Sequence, residues 1–341
     1  MNIFFSLLIL ILCFFSSCDN DFEVNSNWEE VTIVYSLLDA GNSNSSQEVR
    51  INKAFLGQMD AYQMAKYKDS INFDTTNLNV TIYKIKNNIV IDSVKLHPEI
   101  TVRNGDVFND TLVTYKFFKD NFLQSSSSYE LNIRNKNSQN IVSSFTNIIP
   151  NFSWGTQFKP FYNIGFYKND LSDFDDKQIN WRNVDYGQIY QLNLEFNYSE
   201  INQISGETSF HSLDWIQPME IYTSGEMSTK LEGDLFFKFL KDNIQKNNDV
   251  ERVFESIYIE MTVGTEELNT YINVNKPITG IVQERPVYTN IINGIGLFSS
   301  RYTHRDLILN SQDQDNKGLT NATHYYINNQ LDRNFNYPFD F

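Results

Sequence analysis

The sequence predicts a mostly β protein, with an immunoglobulin-like β-sandwich in its N-terminal part and a second β-rich domain that carries one or two helices. Three observations support this fold class. Apolar and polar residues alternate with a period of two along many short segments, as half-buried strands require. Turn-forming Asn, Asp, Gly and Ser residues separate these segments. Finally, 27 Phe and 19 Tyr supply enough apolar surface for sizeable cores, whereas Gly and Pro are few.

The chain opens with an apolar segment, residues 3–15, which is followed by two serines and Cys18. As a helix this segment spans about 20 Å, which is short of the ~30 Å hydrocarbon core of a bilayer but suits the hydrophobic region of a signal peptide. Small residues, a cysteine and an acidic onset after such a region are typical of bacterial lipoproteins. We therefore predict a signal peptide over residues 1–17, cleavage before Cys18 and acylation of its thiol.

Two other interpretations of the leader stay open, namely an ordinary cleaved secretory signal with a chance cysteine and a buried N-terminal strand. No Lys or Arg precedes the apolar segment, and Phe15 stands where Leu is commoner in lipoproteins. The cysteine content favours acylation, because Cys13 lies in the leader and Cys18 is the other cysteine of the chain. The mature protein would then hold neither a disulfide nor a free thiol.

Residues 18–29 are polar and acidic and predict a tether between the lipid and the fold. Residues 30–150 then show about seven short predicted strands with frequent turns, which is typical of an immunoglobulin-like sandwich. One helical turn is predicted at residues 60–66, with Asp60 as its N-cap. The predicted strands lie near residues 31–37, 49–51, 78–82, 89–94, 113–118, 129–133 and 141–146.

The second predicted domain covers residues 151–341, beyond Pro150. Its clearest strand, residues 190–198, alternates apolar and polar side chains, so one face of the sheet is expected to meet water. Residues 257–263 repeat this pattern. An apolar stripe predicts a helix near residues 234–246, and a shorter helix is predicted for residues 265–273, with Thr265 as its cap and acidic residues in its first turn.

No motif in the sequence specifies a metal, a cofactor or a catalytic centre. The HExxH, GxSxG and Walker A patterns are absent. Residues 294–299 begin like a dinucleotide fingerprint but lack its third glycine and a βαβ setting, so we expect these glycines to let the backbone bend or approach a neighbouring element closely. The chain has four histidines without metal-ligand spacing: His97, His211, His304 and His324.

The net charge of −15 argues against nucleic-acid binding, because such a surface repels phosphate backbones. Glu195 and Glu260 lie on the polar faces of predicted strands. They are expected to face solvent, but a carboxylate-dependent hydrolase displayed on the cell envelope stays open as the alternative function, because carboxylate separation is a tertiary property.

Three segments resemble a domain-of-unknown-function family of Bacteroidetes outer-membrane lipoproteins, the 4249 type. They are residues 34–39, VYSLLD, residues 51–57, INKAFLG, and the closing motif of residues 285–301, RPVYTNIINGIGLFSSR. The resemblance implies a surface-facing lipoprotein with an immunoglobulin-like N-terminal sandwich that accompanies a TonB-dependent transporter in nutrient capture. It also implies a surface-export signal after the lipidated cysteine, formed by Asp19, Asp21 and Glu23.

The sequence and this resemblance together predict a non-enzymatic binding or scaffold lipoprotein. Its expected location is the outer membrane, where it is anchored through the lipid on Cys18 and faces the cell surface. An outer-membrane transporter is the expected partner, and no cofactor is expected.

Overall fold

The computed structural model describes residues 31–42, 45–54, 71–104, 109–277, 287–309, 312, 315 and 317–338. The helical turn predicted at residues 60–66 lies outside the described residues. Fifteen strands and three helices make up the regular structure of the described part, which confirms the predicted mostly β fold with few helices. The strands are β1 (Val31–Asp39), β2 (Gln47–Ala54), β3 (Leu78–Lys86), β4 (Ile89–Lys95), β5 (His97–Asn104), β6 (Asn109–Phe117), β7 (Ser128–Asn135), β8 (Ile141–Asn147), β9 (Lys177–Arg182), β10 (Ile189–Asn202), β11 (Thr208–Ile216), β12 (Glu220–Ile221), β13 (Glu226–Leu231), β14 (Val250–Gly264) and β15 (Gly294–Leu307). The helices are α1 (Gly233–Asn243), α2 (Glu266–Asn275) and α3 (Asn321–Asn329).

The first eight strands form an immunoglobulin-like sandwich. One layer has the order β1-β2-β6-β5 and the other the order β4-β3-β7-β8. These orders correspond to the ABED and C′CFG sheets of immunoglobulin domains, so the predicted sandwich is confirmed. The apolar faces of both layers meet in one cluster, here called the N-terminal core, whose members include Val34, Ile51, Val80, Val113, Leu131 and Phe298.

Strand β5 was not predicted from the sequence. The chain leaves β4 and enters β5 with a single residue between them, Leu96, which is buried and whose N–H donates to the Val80 carbonyl at 2.9 Å. No turn residue marks this passage from one sheet to the other. By contrast, the turn predicted between β3 and β4 is present, because Asn87 and Asn88 both take positive φ angles, of 52° and 62°, as a two-residue hairpin loop requires.

Tyr129, near the start of β7, fixes the loop that leads into this strand. Its ring is fully buried, its hydroxyl donates to the Phe122 carbonyl at 2.6 Å, and the hydroxyl oxygen accepts the Gln124 N–H at 2.7 Å. A tyrosine in this position, bound to backbone a few residues upstream, is the tyrosine corner of immunoglobulin-like sandwiches. Burial raises the pKa of Tyr129 to about 12, so the hydroxyl stays protonated and able to donate.

Five of the remaining strands extend the first layer of the sandwich into a nine-stranded sheet. Its order is β11-β10-β14-β15-β1-β2-β6-β5, with β12 paired to β10. Strand β15 pairs in parallel with β1 and antiparallel with β14, so residues on both sides of Pro150 build one sheet. The two-stranded sheet of β9 and β13, together with α1 and α3, supplies the residues that pack on the C-terminal strands.

A second apolar cluster, the C-terminal core, fills the space between these elements and the sheet. Its members include Trp181, Leu194, Phe236, Ile259, Tyr302 and Ile327. Phe298 belongs to the N-terminal core, whereas Tyr302 belongs to the C-terminal core, and both lie on β15. Because they are four residues apart on one strand, their side chains point to the same face. Both cores therefore cover the same face of the large sheet, and the opposite face is called the outer face below.

Two helices follow the sequence closely and one was missed. Helix α1 ends at Asn243, three residues before the predicted end, because Ile244 is extended and buried. Helix α2 starts directly after Thr265, whose side chain accepts the Leu268 N–H, as the predicted cap requires. Helix α3 has a comparable cap at Thr320, but its segment is rich in Asn and Thr and has only a weak apolar stripe, so periodicity did not identify it.

We predict that Tyr129→Phe lowers the free energy of unfolding by about 1–3 kcal/mol, because it leaves the buried Phe122 carbonyl and the Gln124 N–H without their shared partner. Urea unfolding measures this loss. The matched control is Tyr162→Phe, since the Tyr162 side chain is 61% exposed. Equal stability of the two variants would refute the role assigned to the tyrosine corner.

Candidate functional site

Two of the three segments on which the expected family membership rests meet at the centre of the large sheet. β1 and β15 run in parallel, in a register that extends from Thr32 opposite Gly294 to Asp39 opposite Arg301. Gly296 takes a φ of +120°, and a Cβ there would lie 2.0 Å from the Val34 carbonyl oxygen. Any side chain would clash with this backbone. The expectation of a close approach at these glycines is thus confirmed, and the approach is that of β15 to β1.

Asp39 ties the end of β1 to the chain around it. Its Oδ1 accepts the backbone N–H groups of Gly41 at 3.0 Å, Asn42 at 3.3 Å and Thr303 at 3.1 Å. Its Oδ2 accepts the Thr303 hydroxyl at 2.7 Å and the Arg301 Nε at 3.0 Å. Asp39 is 4% exposed, so these donors replace the water that a carboxylate would otherwise bind.

A groove of about 590 Å³ opens on the outer face beside this pairing. Strands β1, β2 and β15 form its floor, and α2 forms one wall. Helix α2 is held on the outer face by a 2.6 Å hydrogen bond between the Thr265 and Ser299 hydroxyls. The groove lies within the volume range of small-molecule sites. Its apolar and aromatic lining consists of Tyr35, Leu37, Leu268, Tyr271, Ile272 and Leu297.

Two tyrosines join the floor of the groove to its wall. The Tyr271 hydroxyl donates to the Tyr35 hydroxyl at 3.2 Å, and the two rings meet edge to face with centroids 5.9 Å apart. The hydrogen bond to Tyr35, followed by burial, raises the pKa of Tyr271 to about 12. Tyr271 is therefore neutral at physiological pH, and this part of the groove presents aromatic faces and hydroxyl groups without charge.

Two arginines line the same groove. Arg301 forms the ion pair with Asp39, whereas Arg50 donates its Nε to the Asn52 side chain at 2.8 Å. Among the residues that the structure describes, no carboxylate lies within ion-pair distance of Arg50. Arg50 is exposed and stands directly opposite Tyr35 in the pairing of β1 with β2. The groove thus combines an aromatic surface with an adjacent cation.

Glu195 and Glu260 lie elsewhere on the outer face, on the paired strands β10 and β14. Glu195 accepts Arg305 through both oxygens at 2.8 Å, and the Arg305 guanidinium stacks on Tyr258 with 3.6 Å to the ring centroid. Burial raises the pKa of Glu260, and the charge of Glu195 adds to this while Arg305 opposes it. The two carboxylates sit side by side on a sheet surface, an arrangement that differs from two acids facing each other across a cleft.

The histidines considered in the sequence do not line the groove. The four histidines are on separate elements, on β5, β11, β15 and α3, and the described residues hold no group of three or more His, Cys, Asp or Glu side chains fit for a metal. Cys18, Asp19, Asp21 and Glu23 lie outside the described residues. The groove itself was not predicted. Tyr35 lies on the apolar side of the predicted strand at residues 31–37, which indicates a core position, whereas the structure buries the opposite side of this strand and leaves Tyr35 exposed.

Comparisons with known proteins identify no family for this chain. No protein-family model matches it, and no curated protein matches it significantly. One solved structure with detectable similarity is the C-terminal globular domain of an oligosaccharyltransferase from Pyrococcus abyssi, with 12% identity and a TM-score of 0.23. The alignment covers 67% of this chain and 42% of the archaeal chain, and we draw no functional conclusion from it. Within the described residues, none of the helices has the length and apolarity needed to span a bilayer.

We predict that Asp39→Asn lowers the free energy of unfolding by at least about 2 kcal/mol, because the amide NH₂ would face donors that now bind a buried carboxylate oxygen. Chemical unfolding tests this. The control is Asp92→Asn, since Asp92 is 39% exposed and pairs with Lys119 on the surface, where an ion pair is worth ~0–1 kcal/mol. Similar losses in both variants would show that Asp39 does not bind the two strands together.

Proposed function

We propose that this chain is a lipoprotein of the outer membrane, anchored by acylated Cys18, that faces the cell surface and acts as a non-enzymatic binding or scaffold component. We further propose that it belongs with the Bacteroidetes lipoproteins of the 4249 type and serves as an accessory to a TonB-dependent transporter. The groove on the outer face is the observation that carries the binding role. The leader sequence supports the anchor, and the acidic residues after Cys18 support export to the surface.

The chemistry of the groove favours binding over catalysis. Its lining includes aromatic rings, hydroxyl groups, two guanidinium groups and the carboxylates of Asp39 and Glu48, but its described residues include neither histidine nor cysteine. The Asp39 carboxylate is occupied by the donors that hold β15, so it is a poor general base. The alternative, a carboxylate-dependent hydrolase, has less support, because Glu195 is engaged with Arg305 and lies beside Glu260.

The position of the groove suits a partner in the membrane. β1 begins at Val31, and the chain from Cys18 to Val31 reaches at most about 45 Å when fully extended. An anchor at Cys18 would therefore keep Val31 within about 45 Å of the bilayer. The groove lies close to this point, because its lining begins at Tyr35 on the same strand. A membrane-embedded transporter would be accessible to it there.

We predict that the mature protein begins with acylated Cys18 and that Cys18→Ala abolishes acylation. Mass spectrometry of the mature N-terminus measures this, and protease shaving of intact cells tests the surface location. Cys13→Ala is the matched control, because Cys13 would be removed with the leader and its loss should leave acylation intact. A mature chain that starts elsewhere, or one that resists shaving until cells are broken, would contradict the anchor or the orientation respectively.

We also predict that the protein isolated from native membranes carries an envelope partner, and that Tyr35→Ala or Tyr271→Ala reduces its recovery several-fold. Both substitutions remove aromatic surface from the groove. Affinity purification with quantitative mass spectrometry compares them with Tyr162→Ala, whose tyrosine is exposed and does not line the groove. Isolation without any transporter or other envelope protein would argue against the accessory role, and equal recovery from all variants would exclude the groove as the contact.

A further inference from the structure

We infer that the groove binds a small organic molecule that carries a carboxylate next to a ring or other apolar body, with Arg50 as the contact for the carboxylate and Tyr35 as the contact for the body. This inference rests on the proposed binding function and assigns the chemical class of the ligand. It follows from three features of the groove: its uncompensated cation, its aromatic floor and the absence of a free strand edge.

The cation of the groove has no protein counterion in the described part of the chain. Asp39 satisfies Arg301. Glu48, which also lines the groove, lies 4.0 Å from Lys116, whose closer partner is Glu99 at 2.8 Å. Arg50 uses its Nε on a neutral amide. Its terminal nitrogens therefore offer the planar pair of donors that matches a carboxylate.

The apolar contact lies directly beside this cation. Arg50, Tyr35 and Leu297 are register partners across β2, β1 and β15, so they form one row on the outer face. Cβ atoms of such cross-strand neighbours are roughly 5 Å apart, which places the guanidinium within reach of a molecule lying on the Tyr35 ring. That ring is 40% exposed. Leu268 and Ile272 of α2 complete the apolar side.

The position of the groove in the sheet favours a compact ligand over an extended peptide. β1 is paired on both sides, with β2 and with β15, so its backbone donors and acceptors are used by the sheet. A peptide strand could not add to this floor by main-chain hydrogen bonds, which supply much of the affinity in strand addition. Recognition in the groove must therefore come from side chains.

The charge of the groove favours a carboxylate over a phosphate monoester. Glu48 contributes a negative charge to the lining, and its side chain is 61% exposed. This carboxylate would repel a doubly charged group more strongly than a singly charged one. One guanidinium balances one carboxylate. The N-terminus of α2 is unsuited to hold a second negative charge, since its first turn carries Glu266 and Glu267.

The test uses the purified full chain in detergent, with empty micelles as a blank, and follows binding of benzoate, benzyl alcohol and phenyl phosphate by saturation-transfer NMR. We expect saturable binding of benzoate and no saturable binding of benzyl alcohol. Arg50→Gln should weaken benzoate binding at least about tenfold, the equivalent of one charge-assisted hydrogen bond. Arg134→Gln, at an exposed arginine of β7, should leave it unchanged.

Tyr35→Ala provides a second measurement, because loss of the ring should weaken benzoate binding while the charge remains. The inference is overturned if benzyl alcohol binds as well as benzoate, if Arg50→Gln and Arg134→Gln behave alike, or if benzoate does not saturate up to its solubility limit. Tighter binding of phenyl phosphate would overturn the choice of a carboxylate. These outcomes are independent of the anchor and the partner, because acylation of Cys18 and recovery of an envelope protein are measured separately.

Discussion

The pairing of β1 with β15 is the contact on which the rest of the structure depends. It joins residues that are far apart in the chain; Asp39 and Arg301, which are hydrogen-bonded, are 262 positions apart. Without it the immunoglobulin-like sandwich and the C-terminal layer would be separate sheets, and Phe298 and Tyr302 could not place the two cores on one face. The pairing tolerates no side chain at Gly296, where β15 approaches the backbone of β1 most closely. Pairings of such long range slow folding, because the loop that they close costs entropy before the contacts bring stability.

Much of the local structure could be predicted from the sequence, because periodicity reports which residues face a core. The alternation along β10 and the cap at Thr265 are examples, and both elements are found where the patterns place them. Elements without such a signal were missed. β5 follows β4 across a single buried residue, and α3 buries only part of a polar segment against the sheet. Tertiary packing determines both elements, so no local sequence pattern predicts them.

The groove could not be predicted, because its residues come from three strands and a helix that meet only in the fold. Two of its lining residues, Tyr35 and Leu297, belong to two of the three segments on which the expected family membership rests. The sequence does not show that these two residues are neighbours, which follows from the parallel register of β1 and β15. The same limit applies to Glu195 and Glu260. The sequence predicts both on the polar faces of strands, but only the fold shows that these strands are neighbours and that Arg305 is the partner of Glu195.

The place of β1 in the sheet also has a mechanical meaning. This strand comes first in the described chain, yet it lies inside the sheet, with antiparallel β2 on one side and parallel β15 on the other. A force applied through the residues before Val31 would act along the axis of β1, whereas its ladder bonds run across that axis. The bonds to both neighbours would then share the load and resist it together, instead of opening one after another from the end. A protein pulled from its N-terminus would meet that resistance at β1, the first strand of the described residues.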